Sequence, residues 1–215
     1  MVRFLFSVTF AVLCCISTAD AGAIKHWGIF GGLTSSNHDF DGENVMEDGQ
    51  KHRIGINAGA YAEWLDVPYF SLKSQLWYAE KGSAIEFMET TYEYPLGTGL
   101  VTKGTRLSYL SCAVLGKMKM SFGLCTPYVL AGPRFDYLLD YEENLIFTAL
   151  YREFEKSMYG LTFGAGVERS LPGGPILLLE ARYNLDLKDS HKVDTEAFNY
   201  SIRNTSFEIS GGVGF

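Results

Sequence analysis

The chain has 215 residues, a formal net charge of −7 and a mean hydropathy of +0.03. This acidic balance argues against a nucleic-acid partner, which would require a basic stripe. After the first residues, no run approaches the roughly 20 apolar residues that a membrane helix needs, and the length suits one domain.

Residues 1–21 have the features of a secretory signal peptide. Arg3 supplies a positive charge, residues 4–16 form an uncharged apolar core, and Ala19 and Ala21 are small residues of the kind a signal peptidase reads. The apolar core is too short to span a bilayer as a stable helix. We therefore predict that residues 1–21 are removed on export and that residues 22–215 form the mature domain.

Eight segments of the mature chain are predicted to be β-strands, because apolar and polar residues alternate along them or their composition is typical of strands. The alternation is clearest over residues 54–64. Ile54 and Trp64 lie on its apolar face, whereas Asn57 and Glu63 lie on its polar face. The predicted strands are residues 24–34, 54–64, 70–78, 106–117, 126–139, 159–171, 176–187 and 202–215.

The connections between these segments alternate between long and short. Three are short, at residues 66–68, 119–123 and 172–175, whereas residues 35–51, 81–103, 140–156 and 188–200 form long polar links. Long loops at one end and short turns at the other are typical of outer-membrane barrels. We predict an all-β fold, an eight-stranded antiparallel up-and-down transmembrane β-barrel with four long external loops and short periplasmic turns. A lipocalin-type barrel with its apolar faces inside is the alternative.

The last strand combines an apolar face with a final aromatic residue. Such a strand resembles the closing strand of bacterial outer-membrane barrels, which the barrel-assembly machinery reads as a signature. The predicted assembly signal consists of Phe207, Ile209, Val213 and Phe215.

Aromatic residues are also expected near the strand ends, where aromatic belts meet lipid headgroups. The residues assigned to these belts are Trp27, Trp64, Tyr78 and Tyr128.

Four strands carry a family resemblance. PYVLAGP (127–133), YGLTFGAGVE (159–168) and LEARYNLDL (179–187) resemble strands of the outer-membrane β-barrel domain family that includes PorT-like proteins, common in Bacteroidetes. Asp186 stands where that family usually has Gly, and YLSCAVLGK (109–117) agrees only in part. The resemblance implies an eight-stranded barrel in the bacterial outer membrane. It implies little about activity, because a fold does not fix function.

The polar strand faces carry charges of both signs. The lumen of an eight-stranded barrel is just filled by side chains, and buried charges need partners. We therefore predict an interior polar network that fills the barrel, with a proton or ion relay as the alternative role. The predicted network consists of Glu63, Lys73, Glu168, Glu180, Arg182 and Glu208.

Cys112 and Cys125 are the two cysteines of the predicted mature chain and lie on neighbouring predicted strands. An exported compartment permits a disulfide between them. The bond would require one particular hairpin register with a very tight turn.

Catalytic chemistry finds little support in the sequence. A lipid hydrolase would need a His and a Ser presented together at the lipid-facing rim and oriented by a carboxylate. His52 and His191 have serines near them only in predicted loops. The acidic residues in 39–48 lack the regular ligand spacing of a calcium loop. We expect them to be solvated by water or to bridge through divalent ions to lipopolysaccharide phosphates. We predict no catalytic residue, cofactor or metal site.

The sequence thus predicts a monomeric, non-enzymatic outer-membrane protein. Its external loops would serve an envelope or surface role such as binding, adhesion or envelope integrity. The predicted partners are outer-membrane lipid, lipopolysaccharide and, during biogenesis, the barrel-assembly machinery. The alternatives are a narrow channel for small solutes or ions, a PorT-like component of a secretion system and a lipid-modifying enzyme.

Overall fold

The computed structural model describes residues 24–42, 50–88, 100–143, 156–187, 191–195 and 198–215. The predicted signal peptide lies outside these ranges. Within them, no helix is long and apolar enough to cross a membrane. The strands are β1 (Ile24–Gly42), β2 (Gln50–Val67), β3 (Phe70–Met88), β4 (Leu100–Lys119), β5 (Cys125–Glu143), β6 (Ser157–Ser170), β7 (Ile176–Asp186), β8 (His191–Thr195) and β9 (Phe198–Gly214).

Eight of these strands close into an antiparallel barrel. Each strand from β1 to β6 pairs with the next, β7 pairs with β9, and β9 pairs back with β1. The end of the barrel that carries the three short turns is called its lower end. The short β8 pairs with the upper part of β9. Closure satisfies the backbone groups that lipid could not hydrogen-bond, and it confirms the predicted eight-stranded barrel.

The register of the barrel follows from its paired residues. A path across the ladder that leaves β2 at Trp64 crosses every barrel strand and returns to β2 at Ile54, ten residues away. A stagger of this kind accompanies a strand tilt of about 40° to the barrel axis. The tilt decides which side chains meet across the lumen.

The two faces of the wall differ sharply in polarity. Outward side chains such as Phe163 and Ile209 are about half exposed, whereas Lys73, Arg182 and Glu208 point inward and are fully buried. A barrel surrounded by water would have the opposite arrangement, because large apolar residues would then fill its core. The alternative of a lipocalin-type barrel with an apolar interior is therefore wrong, and the exposed apolar wall is a surface for lipid.

Apolar side chains also fill part of the lumen. Trp77 is the largest of them, and a Cβ atom on Gly59 of the neighbouring strand would overlap its Cβ. Glycine in a strand often marks such a close approach. The two apolar clusters comprise Phe30, Tyr61, Trp77, Ala79, Ala113, Leu115, Tyr128, Leu130 and Leu178, and Leu107, Tyr109, Leu138 and Met158.

The strands are longer than the sequence indicated. Residues 81–88 and 100–103, assigned to a long connection, belong to β3 and β4, and residues 35–42 continue β1. The ladder extends past the apolar wall into segments where polar residues hide the period-2 pattern. The three short turns, in contrast, lie where they were predicted.

Candidate functional site in the barrel lumen

The centre of the lumen holds an ion-pair cluster built on β7 and β3. Glu180 and Arg182 both point inward because they are two residues apart on one strand. Lys73 Nζ lies 2.8 Å from Glu180 Oε2, and Arg182 Nη2 lies 3.0 Å from Glu208 Oε2. Arg182 Nη1 also donates to Gln75 Oε1 at 2.6 Å. This central cluster therefore ties β3, β7 and β9 together across the lumen.

Tyr128 belongs to the central cluster and not to an interfacial belt. Its hydroxyl donates to Glu180 Oε2 at 2.6 Å. Its ring centroid lies 5.5 Å from Lys73 Nζ and 4.4 Å from Lys117 Nζ, distances typical of cation–π contacts. The belt assignment was wrong for this residue because even-numbered residues of this part of β5 face inward.

A lower cluster lies near the short turns. Lys117 Nζ bridges Glu63 Oε1 at 2.6 Å and Glu168 Oε1 at 2.5 Å. Ser71 Oγ donates to Glu63 Oε2 at 3.2 Å. Charge-assisted bonds of this length are stronger than neutral ones, so the lower cluster links β2, β4 and β6 at this end of the barrel.

An upper cluster contains charged residues that the predicted network missed. Lys81 Nζ lies 2.7 Å from Asp136 Oδ2, Arg134 Nε lies 3.0 Å from the same oxygen, and Arg134 also pairs with Asp186. The i, i+2 spacing of Arg134 and Asp136 could have revealed them. Lys81 falls in residues 81–103, for which the sequence predicts a polar connection and no inward-facing side chain.

The buried charges balance. Among the described residues, five cations and five carboxylates are buried, and Glu168 adds a partly exposed carboxylate at the lower end. Each cation has a carboxylate partner, as burial in a narrow lumen requires. The buried charged residues are Lys73, Lys81, Lys117, Arg134 and Arg182, with Glu63, Asp136, Glu180, Asp186 and Glu208. All six residues of the predicted network lie in the lumen clusters.

The predicted disulfide is incompatible with the register. Cys112 pairs with Phe135, ten residues along β5 from Cys125, and both cysteines are free and exposed. Ten residues of strand span about 33 Å, whereas a disulfide needs Cα atoms within about 7 Å. The prediction was wrong because the tight turn lies far from Cys112.

The residues of the predicted assembly signal lie on the outer face near the barrel seam. Phe207, Ile209 and Phe215 are exposed, and Val213 is partly exposed. The Phe215 ring centroid lies 5.2 Å from that of Trp27, and two backbone hydrogen bonds of 2.7 and 3.1 Å join the same residues. The assembly role stays a prediction.

Other residues considered for chemistry are dispersed. His52 is exposed at the upper end of β2, and residues 43–48 of the acidic segment lie outside the described ranges. In the part of the chain that is described, no group of three or more His, Cys, Asp or Glu side chains could hold a metal ion.

A closed barrel with an apolar outer wall and an ion-paired lumen defines an outer-membrane β-barrel protein. The model of the family described as "Outer membrane protein beta-barrel domain" matches residues 25–192. The chain belongs to this family, and its place is therefore the outer membrane.

Several solved barrels are similar to this chain. The attachment invasion locus protein Ail of Yersinia pestis, in complex with the heparin analogue sucrose octasulfate, is 14% identical, with a TM-score of 0.45, over 88% of this chain and 98% of its own. OprG from Pseudomonas aeruginosa is 12% identical, with a TM-score of 0.49, over 90% and 97%. Neisserial surface protein A is 14% identical, with a TM-score of 0.47, over 87% and 95%. No curated protein matches the sequence. The family assignment rests on the sequence match.

Proposed function

We propose that this protein is a non-enzymatic, monomeric outer-membrane barrel whose outer end serves an envelope or surface role, through binding, adhesion or maintenance of envelope integrity. The observation that carries this proposal is the filled lumen, in which oppositely charged side chains pair from the lower cluster to the upper one. Because side chains occupy the lumen, partners would meet the outer surface of the barrel and the connections between its strands.

The proposed orientation places the short turns in the periplasm and the remaining connections outside. This follows the usual asymmetry of outer-membrane barrels. Lipopolysaccharide would then surround the upper wall, and the barrel-assembly machinery would act from the periplasmic side during biogenesis.

A narrow ion channel is the second candidate. The line of charged groups from Glu168 in the lower cluster to Lys81 in the upper one favours it. Conduction would require the ion pairs to separate, because their side chains occupy the lumen. A PorT-like secretion role rests on the sequence resemblance alone, and a lipid-modifying role rests on analogy with other barrels.

Two measurements separate these functions. The purified barrel is first shown to be folded by the change in its gel mobility on boiling in detergent. It should then give no reproducible single-channel conductance in planar bilayers, whereas a reproducible ohmic conductance would favour the channel. In the host bacterium, deletion should weaken the envelope or surface phenotype and leave the lipid A profile unchanged. An altered lipid A profile would favour the enzyme.

Complementation with variants then tests where the function resides. A chain with residues 89–99 replaced by a short Gly-Ser linker should fold but restore the phenotype poorly. Lys73→Met/Glu180→Gln, which removes both charges of one lumen pair, should restore it if it folds. The reverse result would place the function in the lumen.

A further inference from the structure

Two of the three short turns expose large apolar side chains. They are the β2–β3 turn with its adjoining strand ends, residues 65–70, and the β4–β5 turn with its adjoining strand ends, residues 118–125. Their apolar side chains are between 40% and 72% exposed. A group of exposed apolar side chains of this kind marks a site of contact with a membrane or a partner. The members of this apolar turn surface are Leu65, Val67, Tyr69, Phe70, Met118, Met120, Phe122 and Leu124.

The apolar turn surface is continuous and held by backbone hydrogen bonds. Phe70 pairs with Met118, and Lys119 N donates to Tyr69 O at 3.0 Å, so the two turns lie side by side. Two further bonds of 2.8 and 3.2 Å join Phe122 and Cys125 and close the second turn. The surface is therefore a fixed feature of the barrel end.

The third short turn has a different chemistry. It consists of residues 171–175, Leu-Pro-Gly-Gly-Pro, in which Leu171 is the one large apolar residue and is only partly exposed. The apolar turn surface is therefore confined to the β2–β5 side of the barrel.

Leu65 adds an observation from the backbone. It has a positive φ of 47°, which is uncommon for a bulky residue, and its side chain is 69% exposed. It lies at a register shift of the β2–β3 ladder between Trp64 and Val67, so its conformation belongs to a bulge at the strand end, where its side chain is left exposed.

The chemistry around this surface indicates which phase covers it. Phe70 and Met118 are also the lowest outward residues of β3 and β4, so the apolar turn surface continues the lipid-facing wall. Lys25 and Arg169 are exposed at the same end of the barrel, on β1 and β6. Basic residues beside an apolar surface match anionic phospholipid headgroups.

We propose that the apolar turn surface inserts into the headgroup–acyl boundary of the periplasmic leaflet, while Lys25 and Arg169 contact anionic headgroups. Insertion on one side of the barrel end would hold the barrel at a fixed tilt. The leaflet assignment rests on the orientation proposed above, whereas insertion itself depends only on the lipid-facing wall.

The test compares three single nitroxide labels in full-length barrels reconstituted in phosphatidylethanolamine–phosphatidylglycerol vesicles. One label is at Phe122→Cys, one at Ser170→Cys and one at native Cys112, with the other mature-chain cysteines replaced by serine. Cys112 is the reference within the lipid-facing wall, and Ser170 is an exposed reference beside the third turn. Collision rates with oxygen and with a water-soluble nickel chelate report membrane depth.

The expected result is that the label at position 122 collides preferentially with oxygen, as at position 112, whereas the label at position 170 collides preferentially with the nickel chelate. A label at position 122 that collides preferentially with the nickel chelate would overturn the proposal. A chelate-accessible Cys112 would overturn the lipid-facing barrel itself, and insertion with it. Stoichiometric photocrosslinking from position 122 to a periplasmic protein in cells would overturn it in favour of a protein partner.

The headgroup contact has a separate readout. Lys25→Gln/Arg169→Gln should shift the label at position 122 toward water in vesicles with phosphatidylglycerol and should leave its depth unchanged in pure phosphatidylcholine. No shift in either lipid would overturn the electrostatic part of the proposal.

Discussion

Replacing Arg182 with methionine should strongly destabilise the barrel. The guanidinium is fully buried, lies 3.0 Å from Glu208, donates to Gln75 at 2.6 Å and sits 4.8 Å from the ring centroids of Phe30 and Trp77. Methionine keeps much of the apolar stem but leaves the Glu208 carboxylate without its cation. Removing one partner of a buried pair costs about 3–5 kcal/mol.

Reversible urea unfolding in lipid vesicles measures this loss. With a urea dependence of about 2–3 kcal/mol per molar, the unfolding midpoint of Arg182→Met should fall by about 1–2.5 M. The fraction that keeps its unheated gel mobility and the tryptophan fluorescence provide two independent readouts.

Two controls determine whether charge is the cause. Arg182→Met/Glu208→Gln also removes the unpaired Glu208 carboxylate and should recover more than half of the lost stability. Arg106→Met breaks a partly exposed pair, Arg106–Glu142, of 2.5 Å and should cost about 0–1 kcal/mol. The reasoning would be refuted if Arg182→Met left the unfolding midpoint unchanged. It would also be refuted if the double variant were no more stable than the single one.

Three further predictions concern packing, the lipid face and the cysteines. Gly32→Ala should lower the free energy of unfolding by about 1–3 kcal/mol, because its Cβ would lie 2.7 Å from the Cα of Ser210. Gly31→Ala should be tolerated, because its Cβ would lie 3.5 Å from the nearest atom. Equal unfolding midpoints for the two variants would contradict this prediction. Ile209→Lys places a charge on the outer wall and should cost about 2–4 kcal/mol in vesicles relative to Ile209→Leu, and an unchanged midpoint would argue against lipid at that face. Unfolded, non-reduced protein should react with maleimide at Cys112 and Cys125 alike, and a mass gain seen only after reduction would show a disulfide.

Much of the barrel could be predicted because a strand has a simple period. Alternation identifies the inward residues of β2, β6, β7 and β9 without knowledge of their neighbours. The family-like segment 179–187 therefore placed Glu180 and Arg182 inside. The same rule failed at the strand ends, where polar residues on both faces remove the alternation although backbone pairing continues.

The upper cluster shows where local sequence stops being informative. Lys81 was assigned to a loop, and its partner Asp136 is 55 residues away in the chain. Neither residue identifies the other, because their meeting depends on how far each strand extends and on the stagger between strands.

The sequence by itself determined that this chain forms a barrel, which face of most strands meets lipid, and that the lumen is charged. Only the tertiary structure decided that Lys73 meets Glu180, 107 residues away, and that Cys112 and Cys125 lie far apart. The physical reason is that side-chain period is a property of one strand, whereas register and stagger belong to the closed sheet. A closed ladder fixes all its pairings together, and only then are partners across the lumen defined.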